Sequence, residues 1–185
     1  NFNNKISLIK SLEEKPNKDW LKRINECEDE KVLKYFLKDS PNINIEDNSK
    51  ILKIIWECCQ IPDFVKKNYG HHIEVVSKVF TFLTKKTKKI PNQYMKEQLS
   101  VLDKLDGNVD SLSNRIANVR TWAYVSNKSN WVENQDYWIE RTKHLEDRLS
   151  DRLHEELTKT FIDKRASVLA KGLKQDIVFD TEIIN

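Results

Sequence analysis

The sequence has few of the residues on which turn-rich β architectures depend. Only three Gly and four Pro occur in 185 residues. Because the hairpins and tight turns of an all-β fold rely on such residues, their scarcity argues against a sandwich or a barrel. The length is sufficient for one domain, or two small ones, with a hydrophobic core. The sequence therefore predicts an all-α fold.

Cysteine is also scarce, and long apolar runs are missing. Cys27 and the adjacent pair Cys58 and Cys59 lack the number and spacing of a disulfide framework, which indicates a reducing compartment. We expect the pair to be buried as small apolar groups. No run approaches the ~20 apolar residues of a membrane-spanning helix. The start, NFNNK, is neither a signal peptide nor an initiator-Met start. We therefore expect a fragment of a cytoplasmic protein with no membrane partner.

Motifs for catalysis are missing as well. None of the three glycines stands in a P-loop, whose backbone N–H groups wrap a phosphate. The stretch HEELT begins with His154 and Glu155, but Thr158 occupies the position of the second histidine that a zinc protease helix requires. No pair of a nucleophile and a base stands out. We therefore expect no catalytic residue, no metal and no cofactor in this chain.

Helical periodicity, in contrast, occurs almost throughout. Ile90-Pro91 and Asp106-Gly107-Asn108 read as breaks between helices. The predicted array ends in one long C-terminal helix, in which Leu149, Leu153 and Leu157 recur at every fourth position. With uncertain ends, the predicted helices span about 6–14, 18–27, 30–38, 48–60, 62–86, 92–106, 108–126 and 134–170.

The character of the sequence changes after Gly172. The β-branched and aromatic residues of DIVFDTEII predict a strand near 177–184. Because a single strand has no partner here, we expect residues 173–185 to be the truncated start of a small β-containing segment. Residues 1–172 then form a helical accessory domain, and its division into sub-bundles 1–60 and 61–172 is left open.

Positive charge is concentrated in one part of the array. Between Phe64 and Lys104 there are nine lysines and three acids, and KKTKK at 85–89 is the densest part. Between Glu140 and Arg165, seven acids balance seven bases. An anionic partner would therefore meet the lysine-rich segment rather than the long helix.

The segment 114–131, NRIANVRTWAYVSNKSNW, combines arginines with aromatic residues. An apolar stripe through Ile116 and Val119 leaves Arg115 with Trp122 on one flank and Arg120 with Tyr124 on the other. Such pairs stack on bases and hold phosphates of single-stranded nucleic acid. In the alternative interpretation, the rings pack in the core and the arginines bridge helices.

Three segments resemble, in order and spacing, the C-terminal accessory region of bacterial superfamily 2 DExH RNA helicases. They are IIWECCQIPDF at 54–64, RIANVRTWAYVSNKSNW at 115–131 and LEDRLSDRLHEELTKTFIDKRASVL at 145–169. These helicases are mostly alphaproteobacterial and are related to the helicase of the mitochondrial RNA degradosome. Where the family usually has DRRTSVL, this chain has DKRASVL at 163–169.

The resemblance implies a parent protein in which two RecA-like motor domains, with their ATP and Mg²⁺, precede this region. The family's helical extension packs on the motor core and helps enclose the RNA strand, and a small β-containing segment follows it. We therefore expect a non-catalytic region that contacts single-stranded RNA, and the alternative is a structural or protein-docking module. The residues predicted to contact RNA are Arg115, Arg120, Trp122, Tyr124 and Arg165, with Lys85, Lys86, Lys88 and Lys89 as an electrostatic site.

Overall fold

A computed structural model describes residues 4–14, 17–18, 20–22, 26–38, 48–66 and 69–182, with side chains up to Lys171. Over these ranges it contains helices and no strand, and its one isolated bridge joins Ile90 to Val132. The all-α prediction, including the long C-terminal helix, is confirmed. The helices are α1 (Lys5–Glu13), α2 (Glu28–Lys38), α3 (Ser49–Cys59), α4 (Tyr69–Thr84), α5 (Asn92–Leu102), α6 (Val109–Asn127) and α7 (Gln135–Glu182).

Local caps explain where several helices begin. The Asn48 side chain accepts a hydrogen bond from the Lys50 N–H at 2.9 Å, and the Asn108 side chain accepts one from the Ser111 N–H at 3.0 Å. Gly107 precedes the second cap with a φ of 112°, and a Cβ at Gly107 would lie 3.0 Å from Ser111 Cβ. Pro91 caps α5 with φ −65°. The breaks predicted at 90–91 and 106–108 are confirmed.

The best-packed part of the fold is the pair α6 and α7. Arg120 on α6 pairs with Glu146 on α7 across a short connection, so the two helices run antiparallel. Helix α5 lies against α6, while α3 packs against both α2 and α4. One cluster of buried apolar residues extends from Leu8 to Leu149. It includes Cys58 and Cys59, as predicted from their sequence context.

Two predicted helices differ from the structure. The described residues within 18–27 are not helical, and Trp20 and Leu21 in this stretch are exposed. A short helix without a packed face is marginal in water. The helix predicted from Pro62 begins only at Tyr69, because the Asp63 side chain accepts the N–H groups of Val65 and Lys66 at 3.1 and 3.0 Å. Such a turn competes with the first turn of a helix.

The C-terminal strand prediction is also corrected. Helix α7 continues through residue 182, so the stretch 177–182 is helical, and the remaining residues 183–185 lie outside the described part. A lone strand has no partner for its backbone groups, whereas extending a helix adds one hydrogen bond per residue. Every described side chain from Leu157 to Lys171 is exposed, so this part of α7 projects beyond the packed body. None of the described helices has the length and apolar character to span a bilayer.

Candidate nucleic-acid interface

The structure places Trp122 in the core. Its side chain is 4% exposed, and its ring packs edge-on against Tyr94 of α5 at a centroid distance of 5.8 Å. Tyr94 in turn packs against Phe82 of α4 at 4.9 Å. The prediction that Trp122 contacts RNA is therefore wrong, because α5 covers the flank of α6 that the predicted apolar stripe left open.

Arg115 has a structural role at the end of α5. Its guanidinium donates to the carbonyl oxygens of Lys104, at 2.8 Å, and of Asp106. The side chain is 19% exposed. Because these carbonyl groups belong to the turn between α5 and α6, Arg115 fixes that turn. Most of the guanidinium faces the protein, and the predicted contact of Arg115 with RNA stays a prediction.

Arg120 and Tyr124 occupy the other flank of α6. Arg120 Nε donates to Glu146 Oε1 at 2.7 Å, while the side chain stays 53% exposed. Tyr124 is half-buried, and Lys128 Nζ lies 4.9 Å from the centre of its ring. Arg120 thus bridges two helices but keeps free donors, and Tyr124 is part of a cation–π contact at the end of α6.

The predicted lysine site forms the loop between α4 and α5. In this lysine loop, residues 85–89, the Lys88 N–H donates to the Lys85 carbonyl at 3.0 Å and Lys88 has a φ of 51°. Lys85 Nζ lies 5.2 Å from the Phe82 ring. The side chains of Lys85, Lys86 and Lys88 are exposed and that of Lys89 is half-buried. The loop therefore carries four lysines within five residues, three of them with exposed side chains.

Backbone hydrogen bonds join the lysine loop to the connection between α6 and α7. The Ile90 N–H donates to the Trp131 carbonyl at 2.7 Å, and the Glu133 N–H donates to the Ile90 carbonyl at 3.2 Å. Lys128 belongs to the same connection. The structure therefore brings the lysine loop, Lys128 and Tyr124 to one end of the fold.

Arg165 is remote from this end. It lies 30 residues after Gln135, the first residue of α7, or about 45 Å along a helix that rises 1.5 Å per residue. Its guanidinium lies 5.5 Å from the ring of Phe161, also on the projecting part of α7. The predicted contact residues therefore do not form one site. Arg115 and Arg165 lie apart from the lysine loop.

A groove that the sequence did not reveal begins beside the lysine loop. It lies between α5 and α7 and has a volume of about 890 Å³. Tyr137, 57% exposed, lines it together with Lys96 and Arg141. Trp138 supports the Tyr137 ring edge-on at 4.8 Å and donates its indole N–H to Asn92 Oδ1 at 2.7 Å. An exposed aromatic ring therefore shares this α5–α7 groove with two cations.

Asp103 fixes the cationic side of the α5–α7 groove. One carboxylate oxygen accepts from Arg141 Nη2 at 2.6 Å, and the other accepts from Arg148 Nη1 at 3.0 Å. A guanidinium has five N–H donors, so one ion pair leaves Arg141 with donors for a phosphate. Asp103 therefore orients the two arginines without using all of their capacity.

Sequence reasoning missed Lys96 and Tyr137 because they are 41 positions apart and on different helices. One signal was present in the pair Tyr137-Trp138. Adjacent residues on a helix point about 100° apart, so a single packed face rarely covers two large neighbouring rings. Once Trp138 is the buried member, Tyr137 is expected at the surface.

Metal ligands and reactive thiols are two further features on which chemistry could depend. Within the described ranges, no three His, Cys, Asp or Glu side chains come together as metal ligands would. Burial raises the pKa of the Cys58 and Cys59 thiols, so both stay protonated and unreactive at neutral pH. No protein-family model, curated protein or solved structure matches this chain.

Proposed function

We propose that this chain is a helical accessory region of an ATP-dependent RNA helicase, and that it holds single-stranded RNA. The observation that carries the proposal is the exposed Tyr137 in a groove with Lys96 and Arg141, next to the lysine loop. A single strand binds where a ring can stack on a base and cations follow its phosphates. The resemblance of residues 54–64, 115–131 and 145–169 to helicase accessory regions supports the same function.

In this proposal the chain itself performs no chemistry. RecA-like motor domains of the same parent chain would bind ATP and Mg²⁺ and hydrolyse the nucleotide in the cytoplasm. The accessory region would keep the strand in place while the motor moves. Tyr137 would stack on a base, and Lys96, Arg141 and the lysine loop would neutralise phosphates.

A structural or protein-docking module is the second candidate, and specific contacts favour it. Arg115 and Arg120 both make intramolecular contacts, and Asp103 holds Arg141 and Arg148. The projecting part of α7 also exposes Leu157, a large apolar side chain. In such a module the basic side chains hold helices together, and RNA makes no specific contact.

Binding of a fluorescent single-stranded oligouridylate, followed by anisotropy, separates these candidates. We expect Tyr137→Ala to weaken binding about fivefold or more, because stacking contributes ~1–3 kcal/mol per base. The control is Tyr69→Ala, which removes another exposed tyrosine at the opposite end of α4 from the lysine loop. Equal binding by both variants would mean that Tyr137 does not contact the RNA strand. A parent chain that does not bind RNA would favour the docking module.

A further inference from the structure

A second cavity lies at the opposite end of α4 from the lysine loop. It has a volume of about 660 Å³, which is within the range of small-molecule sites. The first turn of α2, the end of α3, residues 60–66 after α3 and the start of α4 form its walls. Val32, Cys59 and Ile61 give it an apolar floor and are all buried. The cavity therefore has a buried apolar floor and exposed groups at its edge, Phe64 and Tyr69 among them.

His72 is a buried polar side chain in the wall of this cavity. It is 8% exposed, and its imidazole has no hydrogen-bond partner among the residues that the structure describes. Burial lowers the pKa of His72, and the neighbouring His71 acts in the same direction, while the charges of Asp63 and Glu28 oppose the shift. The imidazole is therefore neutral at pH 7 and can accept a hydrogen bond from a ligand.

The charged groups of the cavity are mostly acidic. Among the described residues that line it, Glu28, Asp29 and Asp63 are acidic and Lys66 is basic. Glu28 pairs with Lys31 at 2.9 Å, and one oxygen of Asp63 accepts the two turn N–H groups of Val65 and Lys66. Asp29 and the second Asp63 oxygen have no hydrogen bond or ion pair within the described ranges.

These charges select the class of ligand. An anion would meet Asp29 and the second oxygen of Asp63, which repel it. A metal ion would need several ligands at short distance, and no such group occurs in the described residues. Cys59 offers no thiolate, because burial and then the charge of Asp29 raise the pKa of its thiol. An organic cation satisfies both the carboxylates and the apolar floor.

We propose that this cavity binds a guanidinium or ammonium group on an apolar stem. Asp29 and Asp63 face its charge, His72 accepts one of its N–H groups, and the stem packs on Val32 and Ile61. The cation is either a free small molecule or an arginine or lysine side chain of a partner protein. This site is independent of the RNA-holding function.

Isothermal titration calorimetry on the full chain tests the site with three probes. These are butylguanidine, its neutral isostere butylurea, and the blocked tripeptide N-acetyl-Gly-Arg-Gly-amide. We expect saturable 1:1 binding of butylguanidine, at least about fivefold tighter than butylurea, because the carboxylates attract only the cation. If the peptide binds as tightly as butylguanidine, the natural ligand is a partner's side chain. If it binds more weakly, the ligand is a free small cation.

The double variant Asp29→Asn/Asp63→Asn should lose this preference for the cation. The amide that replaces the Asp63 carboxylate keeps an oxygen that can accept the two turn N–H groups, so the loop is retained. The control is Asp110→Asn/Glu140→Gln, which makes the same change of charge at exposed positions outside the cavity. No binding by the parent chain, equal binding of butylurea, or full binding by the Asp29→Asn/Asp63→Asn variant would overturn the proposal.

Discussion

At the scale of single residues, the neighbours on other helices decide what a side chain on α6 does. Trp122 and Tyr124 are two positions apart, yet one packs under Tyr94 and the other contacts Lys128 at the surface. The 3.6-residue period predicted a narrow apolar stripe on α6, which a single packed helix would cover. Helix α6 is covered by both α5 and α7, so its buried face is wider. The sequence pattern of α6 does not show that a second helix packs against it; this follows only from the fold.

His72 should make the stability of the fold depend on pH. The folded pKa of His72 is lowered from 6.5 by burial, so below about pH 6.5 the unfolded chain binds a proton more readily than the folded chain. Stability is therefore fully present above that pH, and it falls as the pH drops through the folded pKa. We expect the urea midpoint to decrease between pH 7.5 and pH 5.0, and His72→Gln to reduce this decrease.

The matched control for His72 is His154→Gln. His154 is an exposed histidine on α7, so this variant makes the same substitution without changing a buried position. If His72→Gln and the parent lose the same stability between the two pH values, the imidazole is not desolvated in solution. The cavity would then be more open than the structure shows.

At the scale of elements, α7 shows both what periodicity can predict and where it stops. The predicted start of the long helix is within one residue of Gln135. The row with a spacing of four begins buried at Leu145 and Leu149 and becomes exposed at Leu157 and Phe161. Helix α6 has 19 residues and α7 has 48. At 1.5 Å per residue, α6 is ~28 Å long and can cover less than half of α7, which is ~72 Å long. Periodicity predicts which face of α7 is apolar, but not how long the helix is that packs against this face.

Removal of residues 160–185 should therefore leave the body of the fold intact. Every described side chain in that segment is exposed, and surface changes usually alter stability by about ±0.5 kcal/mol. We expect the truncated chain to have nearly the same urea midpoint as the parent. The comparison is Leu149→Ala, which empties a fully buried position and should cost ~2–5 kcal/mol. A large loss of stability on truncation would mean that the projecting segment packs on the body.

At the scale of the whole molecule, the lysine loop becomes part of a larger basic surface only because the connection between α6 and α7 packs beside it. The sequence located the lysine-rich segment, and the break predicted at 90–91 lies directly after its densest part. The sequence could not place that segment beside Lys128 or the α5–α7 groove, because the two hydrogen bonds of Ile90 reach Trp131 and Glu133. Contacts between positions so far apart follow from packing and not from local pattern.

The two parts of the proposed RNA surface should respond differently to salt. Each ammonium group near a phosphate releases a counterion, so log K falls as log salt rises. Replacing the lysine loop should make this negative slope less steep, by ~0.7 per lost contact. Tyr137→Ala should weaken binding with an unchanged slope, because stacking releases no counterion.

The loop variant carries glutamine at Lys85, Lys86, Lys88 and Lys89. Its control carries the same change at four exposed lysines on other segments, Lys10, Lys22, Lys50 and Lys53. Anisotropy titrations between about 50 and 200 mM salt, a range over which such contacts are readily resolved, give the slopes. If both lysine variants make the slope less steep by the same amount, RNA is held by net charge alone, and the position of the lysine loop beside the connection between α6 and α7 has no part in binding.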